Sequence, residues 1–203
     1  MTISTAAATL NAKVAAVGLI VGAVGLDFLN QFAPDLVPLR LMAAGALIFG
    51  AWAFCDEMGL RKPLNRAGFV TFAFAMFAVC FSILDPAIAG GKLVLVYAFA
   101  LLFAMLIWSA AFLHRKRDVK LAGAVGALAS LVPLAALILG HVSIGAGAWL
   151  GVDALLQMDA SAAAMSNTPI KVIEAMFVFW SAGAAGLLWL GRISPGSQIE
   201  TKS

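Results

Sequence analysis

Long apolar runs separated by short polar stretches are the main pattern along this chain. A helix that crosses a bilayer needs about 20 mainly apolar residues, and the chain contains several runs of about that length. They cover residues 14–32, 39–55, 67–84, 93–113, 121–140 and 172–190. The pattern therefore predicts an all-α fold. We expect one transmembrane domain, 1–203, built as a polytopic integral membrane helical bundle of 6-7 transmembrane helices.

A further candidate span is the stretch "GAGAWLGVDALLQMDASAAAM", residues 145–165. As a helix it would extend about 31 Å, which is enough to cross the hydrocarbon core. Asp153 and Asp159 oppose this, because an aspartate at mid-membrane costs about 2.5–3.5 kcal/mol on insertion scales. We expect 145–165 to span, which gives seven spans. A six-span chain with an external loop is the alternative.

Composition agrees with a chain that lies mostly in lipid. Hydrophobic residues make up 63% of the sequence and charged residues only 11%, whereas a soluble domain of this length exposes far more charge. The net charge of +3 is small and reflects cations gathered in loops. We find no pattern typical of nucleic-acid binding and expect no nucleic-acid partner.

The loop cations predict the orientation of the chain. If the helices alternate, most cations fall on one side, which should be cytoplasmic. These cations are Lys13, Arg61, Lys62, Arg66, Arg115, Lys116, Arg117 and Lys120. We therefore predict a multi-pass protein of the cell inner membrane with a cytoplasmic N-terminus. Lys171 lies inside if 145–165 spans; Arg192 and Lys202 lie inside if it does not.

Groups typical of enzymes and metal sites are scarce. His114 and His141 end consecutive predicted helices, so they lie on opposite membrane faces and cannot jointly ligate a metal or haem. Cys55 and Cys80 are predicted to be too far apart for a disulfide and to serve as packing residues. The serines lack a nucleophile–base arrangement. We expect no enzyme activity, no cofactor and no metal.

Acidic residues inside apolar runs are the most informative polar feature. Asp27, Asp153 and Glu174 each lie within or beside a predicted span. An intramembrane carboxylate marks a solute or proton path by default. The alternative is that each acid lies at headgroup level and pairs with a cation. The cations available for this are Arg40, Lys92 and Lys171.

Phenylalanines form a stripe along the third predicted helix. Phe74, Phe77 and Phe81 share one helical face. Such a stripe usually serves helix packing. If it faced a pore, it would form a dry constriction that passes small neutral molecules and rejects hydrated ions.

Three stretches resemble the bacterial acetate and succinate uptake transporter family, which shares its architecture with acid-gated urea and amide channels. They are "LIFGAWAF" (47–54), "LVYAFALLFAMLIWSAAFLHRKR" (95–117) and "LAALILGHVSIGAGAWLGVDALL" (134–156). The resemblance covers roughly residues 11–165. It implies six-helix protomers, often in hexameric rings, each with its own narrow solute path. It also implies that 145–165 spans and that Asp153 faces the bundle interior.

The chain departs from this family at three places. The family's hallmark Asn-Pro-Ala-Pro-Leu-Gly-Leu is replaced by "LNAKVAAVGL", where only Asn11 corresponds. The polar Ser-Ser-Tyr patch of the third helix is replaced by residues 75–77, Ala-Met-Phe, and the helix 172–190 has no counterpart. The first two differences remove groups that would bind acetate.

We expect a membrane channel or transporter for a small polar solute: a short monocarboxylate, urea or an amide. Its mechanism would be size exclusion at an aromatic constriction, with carboxylates and a histidine setting the potential of the vestibule. The residues predicted to line the path are Asn11, Trp52, Thr71, Phe74, Tyr97, His141, Trp149 and Asp153. Expected partners are the lipid bilayer, the solute and further copies of the chain in a homo-oligomer. The alternative is a non-transporting accessory subunit of a larger membrane complex.

Overall fold

The computed structural model describes residues 2–59, 62–85, 91–115, 117–139 and 168–193. In these residues all regular secondary structure is helical. The helices are α1 (Thr2–Phe32), α2 (Val37–Met58), α3 (Pro63–Leu84), α4 (Gly91–Leu113), α5 (Arg117–Leu139) and α6 (Thr168–Trp189). Each overlaps one of the six apolar runs identified in the sequence, so the predicted all-helical architecture is confirmed for the described part of the chain.

Five of the six helices are long and apolar enough to cross a membrane. The crossing segments are Leu10–Phe32, Val37–Met58, Pro63–Leu84, Leu95–Leu113 and Ile170–Trp189. In α5 the described apolar part, Val119–Ala135, is shorter. The chain is therefore a multi-pass helical membrane protein in contact with the lipid bilayer.

Prolines, a glycine and alanine-rich sequence at the helix ends account for helix bounds that extend beyond the apolar runs. α2 and α3 each have a proline in the first turn, Pro38 and Pro63, where the missing N–H leaves no hydrogen bond unmade. α2 ends at Met58 and is followed by Gly59, whose φ of 90° is readily adopted only by glycine. α1 begins well before residue 14, because the preceding alanine-rich residues favour a helix whether or not they lie in hydrocarbon.

α1 and α2 pack with their backbones in close contact. A Cβ atom added to Gly18 would lie 2.8 Å from Gly50 Cα, and one added to Gly22 would lie 2.5 Å from Leu47 Cα. Both distances are shorter than a side-chain carbon tolerates, so the interface requires glycine. Such small surfaces let helices associate in lipid, where the hydrophobic effect supplies no drive for helix pairing.

Six aromatic rings fill the middle of the bundle, and we call them the aromatic cluster. Its members are Phe54, Phe72, Trp108, Phe112, Phe177 and Trp180. Trp108 and Trp180 stack with centroids 5.3 Å apart. Trp180 Nε1 donates a hydrogen bond of 3.0 Å to Ser109 Oγ, which satisfies the buried indole. In the described residues, this cluster forms a packed interior rather than an open passage.

The two ends of the bundle differ in charge. We call the end where α1 begins the basic end and the other the Glu174 end. Cations at the basic end include Lys13, Lys62, Arg66, Arg115, Arg117, Lys120 and Arg192. The Glu174 end carries Arg40 and Lys171 among its described side chains. This asymmetry agrees with the charge rule from which the cytoplasmic N-terminus was inferred; the orientation itself stays a prediction.

Contacts between the helices give the directions of α5 and α6. Lys13 of α1 lies 5.4 Å from the Trp189 ring, whereas Asn30 contacts Glu174, so α1 and α6 are antiparallel. α6 therefore begins at the Glu174 end. α5 runs antiparallel to α4, because Gly123 lies against Phe112 and Gly126 lies against Ser109. α5 therefore ends at the Glu174 end.

The chain consequently leaves α5 and enters α6 at the same end of the bundle. Residues 145–165 lie outside the described residues, so the six-span and seven-span alternatives both stay predictions.

Candidate polar site inside the bundle

Glu174 is buried although it lies in a membrane-spanning helix. Its side chain is 3% exposed and lies nearly two turns into α6. The Tyr97 hydroxyl of α4 donates a hydrogen bond of 3.2 Å to Glu174 Oε1, and Asn30 Nδ2 of α1 approaches the same oxygen at 3.4 Å. Three helices therefore converge on one carboxylate oxygen.

Asn30 links Glu174 to a buried arginine. Arg40 Nε donates to Asn30 Oδ1 at 2.9 Å, and Arg40 Nη1 donates to the Pro34 carbonyl at 2.8 Å. The short connection between α1 and α2 brings these groups together, since Arg40 lies in the first turn of α2 and Asn30 in the last turn of α1. We call Asn30, Arg40, Tyr97 and Glu174 the polar site.

A small cavity adjoins the polar site. It is lined by Asp27, Tyr97 and Glu174 together with apolar side chains that include Leu47 and Met76. Its volume is about 10 Å³, on the order of one water molecule. The cavity therefore borders two carboxyl groups and a phenol while remaining closed to anything larger than water.

The second carboxylate oxygen of Glu174 has no partner. Oε2 is buried and makes no hydrogen bond, whereas Oε1 accepts from two donors. Asp27 differs, because its Oδ1 accepts a 2.8 Å hydrogen bond from Gln31 Nε2 one turn further along α1. An unpaired buried acceptor costs free energy comparable to a lost hydrogen bond. The polar site thus has one acceptor available for an N–H or O–H group.

Of the residues predicted to line a solute path, Tyr97 belongs to the polar site. Asn11 lies at the basic end, where its Nδ2 donates to Glu57 Oε1 at 3.1 Å and to Asp56 Oδ2 at 3.4 Å. These two predicted residues are therefore at opposite ends of the bundle. The structure does not bring them into one site.

Trp52, Thr71 and Phe74 do not face the interior of the bundle. Trp52 is 49% exposed and packs edge-on against Phe69 at 5.4 Å. Thr71 Oγ1 donates to the Ala67 carbonyl of its own helix at 2.8 Å. Phe74 is 60% exposed, so it does not narrow a passage between the helices of one chain.

The phenylalanine stripe shares this outward placement. Phe77 and Phe81 are exposed beside Phe74 on the surface of α3, in contact with each other at 4.5 Å. The stripe therefore lies on the outer surface of α3 and does not form a constriction between the described helices of one chain. Lipid tails are as apolar as a protein interior, so phenyl rings in a membrane gain little by turning inward. His141, Trp149 and Asp153 lie outside the described residues.

Sequence reasoning missed Asn30 and assigned Arg40 only to headgroup pairing. A signal was present for both. Asn30 follows Asp27 at the i+3 spacing that places two residues on neighbouring positions of one helix face, and Arg40 is a lone cation inside an apolar run. A lone intramembrane cation usually has a buried partner, which here is the amide of Asn30.

No family model, curated protein or solved structure matches this chain. The resemblance to acetate and succinate transporters therefore stays a prediction from short stretches of sequence. In the part of the chain that the structure describes, no group of three or more His, Cys, Asp or Glu side chains could hold a metal ion. Cys55 and Cys80 are both free thiols, as expected from their predicted separation.

Proposed function

We propose that this chain transports a small polar solute across the membrane and that the polar site binds the solute. One observation carries the proposal: Glu174 is 3% exposed within a membrane-spanning helix and has a carboxylate oxygen without a partner. Burying such a group without full hydrogen bonding is costly. Intramembrane acids that face a bundle interior mark solute or ion pathways by default.

The chemistry of the polar site favours a solute that donates N–H hydrogen bonds. Glu174 and Asp27 place two carboxyl groups and no cation in the cavity lining, so the cavity offers a carboxylate solute no positive partner. The Arg40 guanidinium already donates to Asn30 and Pro34. Among the solutes expected from the sequence, urea and simple amides therefore fit better than a monocarboxylate.

The closed interior favours a carrier that changes conformation over a permanently open channel. The cavity beside Glu174 has room for about one water, so even urea requires it to widen. The aromatic cluster lies between the polar site and the basic end, and its rings are buried. In the proposed cycle, side chains around Phe177 and Met76, which line the cavity, move to admit the solute.

Uptake into proteoliposomes tests this proposal. We expect labelled urea or acetamide to enter faster than labelled acetate. Glu174→Gln should lower the initial rate about tenfold or more, because a hydrogen bond to a charged acceptor contributes about 1.5–3 kcal/mol. Asp35→Asn is the matched control, since Asp35 is an exposed acid at the same end, and it should transport like the wild type.

Three results would contradict the proposal. Uptake by wild-type proteoliposomes equal to that of empty liposomes would mean that the chain does not transport these solutes. Equal uptake rates for Glu174→Gln and wild type would mean that the polar site does not bind the solute during transport. Uptake of acetate alone would contradict a solute with N–H donors and would support the resemblance to acetate transporters instead.

An accessory subunit of a larger membrane complex is the second candidate function. It is favoured by a broad apolar groove of about 490 Å³ between α5 and α6. Gly183 lies in this groove, and among the described residues a Cβ there would meet nothing within 4 Å. A partner helix would fill such a groove. Co-purification with a defined complex, together with absent uptake, would favour this function.

A further inference from the structure

A second polar pocket lies at the basic end, where α2 and α4 end and α3 begins. Its volume is about 210 Å³, much larger than that of the cavity beside Glu174. The lining residues used below are Met58, Lys62, Leu64, Asn65, His114 and Arg115. This pocket is separate from the polar site and is independent of the proposed transport function.

Arg115 brings an incompletely paired positive charge to this pocket. Its Nη2 donates a 3.0 Å hydrogen bond to the Met58 carbonyl, whereas its Nη1 is buried and has no partner. Burial lowers the pKa of Arg115 from its ordinary value, yet an arginine in a protein stays protonated at neutral pH. A partly buried cation without an anionic partner is costly, so this site is suited to an anion.

Other groups around the pocket also favour an anion. Lys62 and His114 line it and are exposed. Lys62 is the N-cap residue of α3, so the positive end of that helix dipole points at the same space. The positive groups come from the loop that follows α4 and from the start of α3.

Asn65 adds a hydrogen-bond acceptor. It is 1% exposed, and its Nδ2 donates to the carbonyls of Met58 and Gly59 at 2.8 and 2.9 Å. Its Oδ1 is buried and has no partner. An anion without a donor, such as chloride or sulfate, would leave this acceptor unpaired, whereas a headgroup that combines a phosphate with a hydroxyl would satisfy both kinds of group.

We propose that this pocket binds the headgroup of an anionic phospholipid, with the phosphate at Arg115, Lys62 and His114. A headgroup hydroxyl donates to Asn65 Oδ1. A lipid fits better than a soluble anion because the pocket lies where the crossing segments Pro63–Leu84 and Leu95–Leu113 reach the membrane surface. Leu64, 43% exposed in the pocket wall, offers an apolar surface to the acyl chains.

Native mass spectrometry of the full chain, delipidated in detergent, measures this binding. We expect phosphatidylglycerol to bind more tightly than phosphatidylcholine. Lys62→Gln and Arg115→Gln should each weaken phosphatidylglycerol binding about tenfold, as expected for loss of a charge-assisted hydrogen bond. Arg115→Lys should restore part of the loss. Phosphatidylmethanol, which lacks the hydroxyl, should bind several-fold more weakly than phosphatidylglycerol.

The control is Lys120→Gln, which removes the same charge from an exposed residue of the basic end outside the pocket. It should bind phosphatidylglycerol like the wild type. An equal loss in Lys120→Gln, or no loss in Lys62→Gln and Arg115→Gln, would overturn the proposal. Displacement of the lipid by inorganic phosphate at similar concentration would overturn the lipid assignment in favour of a soluble anion. Lys62→Gln keeps the test valid if Arg115→Gln fails to fold.

Discussion

Gly50→Ala should destabilise the bundle by about 3 kcal/mol, the upper part of the usual range for overpacked interiors. The added Cβ would collide with the backbone of α1, at Leu19 N and 2.5 Å from Gly18 C. Backbone atoms cannot rotate away as a flexible side chain can. α1 and α2 would have to separate along their interface and lose the close packing that holds them together in lipid.

The matched control is Gly45→Ala in the same helix. A Cβ at Gly45 would meet nothing within 4 Å among the described residues. This variant should be unchanged or more stable by about 0.5–1 kcal/mol, because alanine favours a helix over glycine. Circular dichroism during detergent unfolding measures both variants. Equal stability of Gly50→Ala and Gly45→Ala would mean that α1 and α2 do not pack as described.

Arg40→Met should lower the free energy of unfolding by about 3–5 kcal/mol, the range expected when one partner of a buried charged network is removed. Methionine is similar in length but donates no hydrogen bond. Asn30 Oδ1 and the Pro34 carbonyl would both lose their donor, and Glu174 would lose a nearby positive charge. Arg40→Lys should cost less, because an ammonium keeps the charge but lacks the planar fork of donors.

Lys171→Met provides the comparison for charge alone. Lys171 lies at the same end of the bundle, near Glu174, and is half-buried. Its replacement should change the unfolding free energy by about 1 kcal/mol or less, as is usual for exposed or partly exposed charges. Chemical unfolding in detergent measures the unfolding free energy of both variants. Similar losses for Arg40→Met and Lys171→Met would mean that the hydrogen bonds of Arg40 contribute nothing beyond its charge.

The helices could be predicted from the sequence because the membrane requirement is simple. A run of about 20 apolar residues forms a helix in a membrane, because a helix satisfies its own backbone hydrogen bonds whatever surrounds it. The helix ends were predicted less accurately. α3 begins at Pro63 and α5 at Arg117, in polar sequence that a hydropathy criterion leaves out. The direction of α6 depends on contacts such as Asn30 with Glu174, which no single run of sequence encodes.

The candidate site was predicted in part. Glu174 was identified as an acid within a span and Tyr97 was among the residues predicted to line the path, but the sequence did not link the two. Whether Phe74 faces inward or outward could not be judged from the sequence, because apolar residues in a membrane helix pack equally well against lipid or protein. Hydropathy therefore separates polar groups from lipid but does not tell which apolar face lies inside.

The antiparallel pairing of α1 with α6 has a practical consequence for labelling the protein. α1 begins at Thr2 and α6 ends at Trp189, at the same end of the bundle. Reporter domains attached before α1 and after α6 would consequently share one compartment, and an enzyme tag that works on only one side of the membrane should read the same at both attachment points.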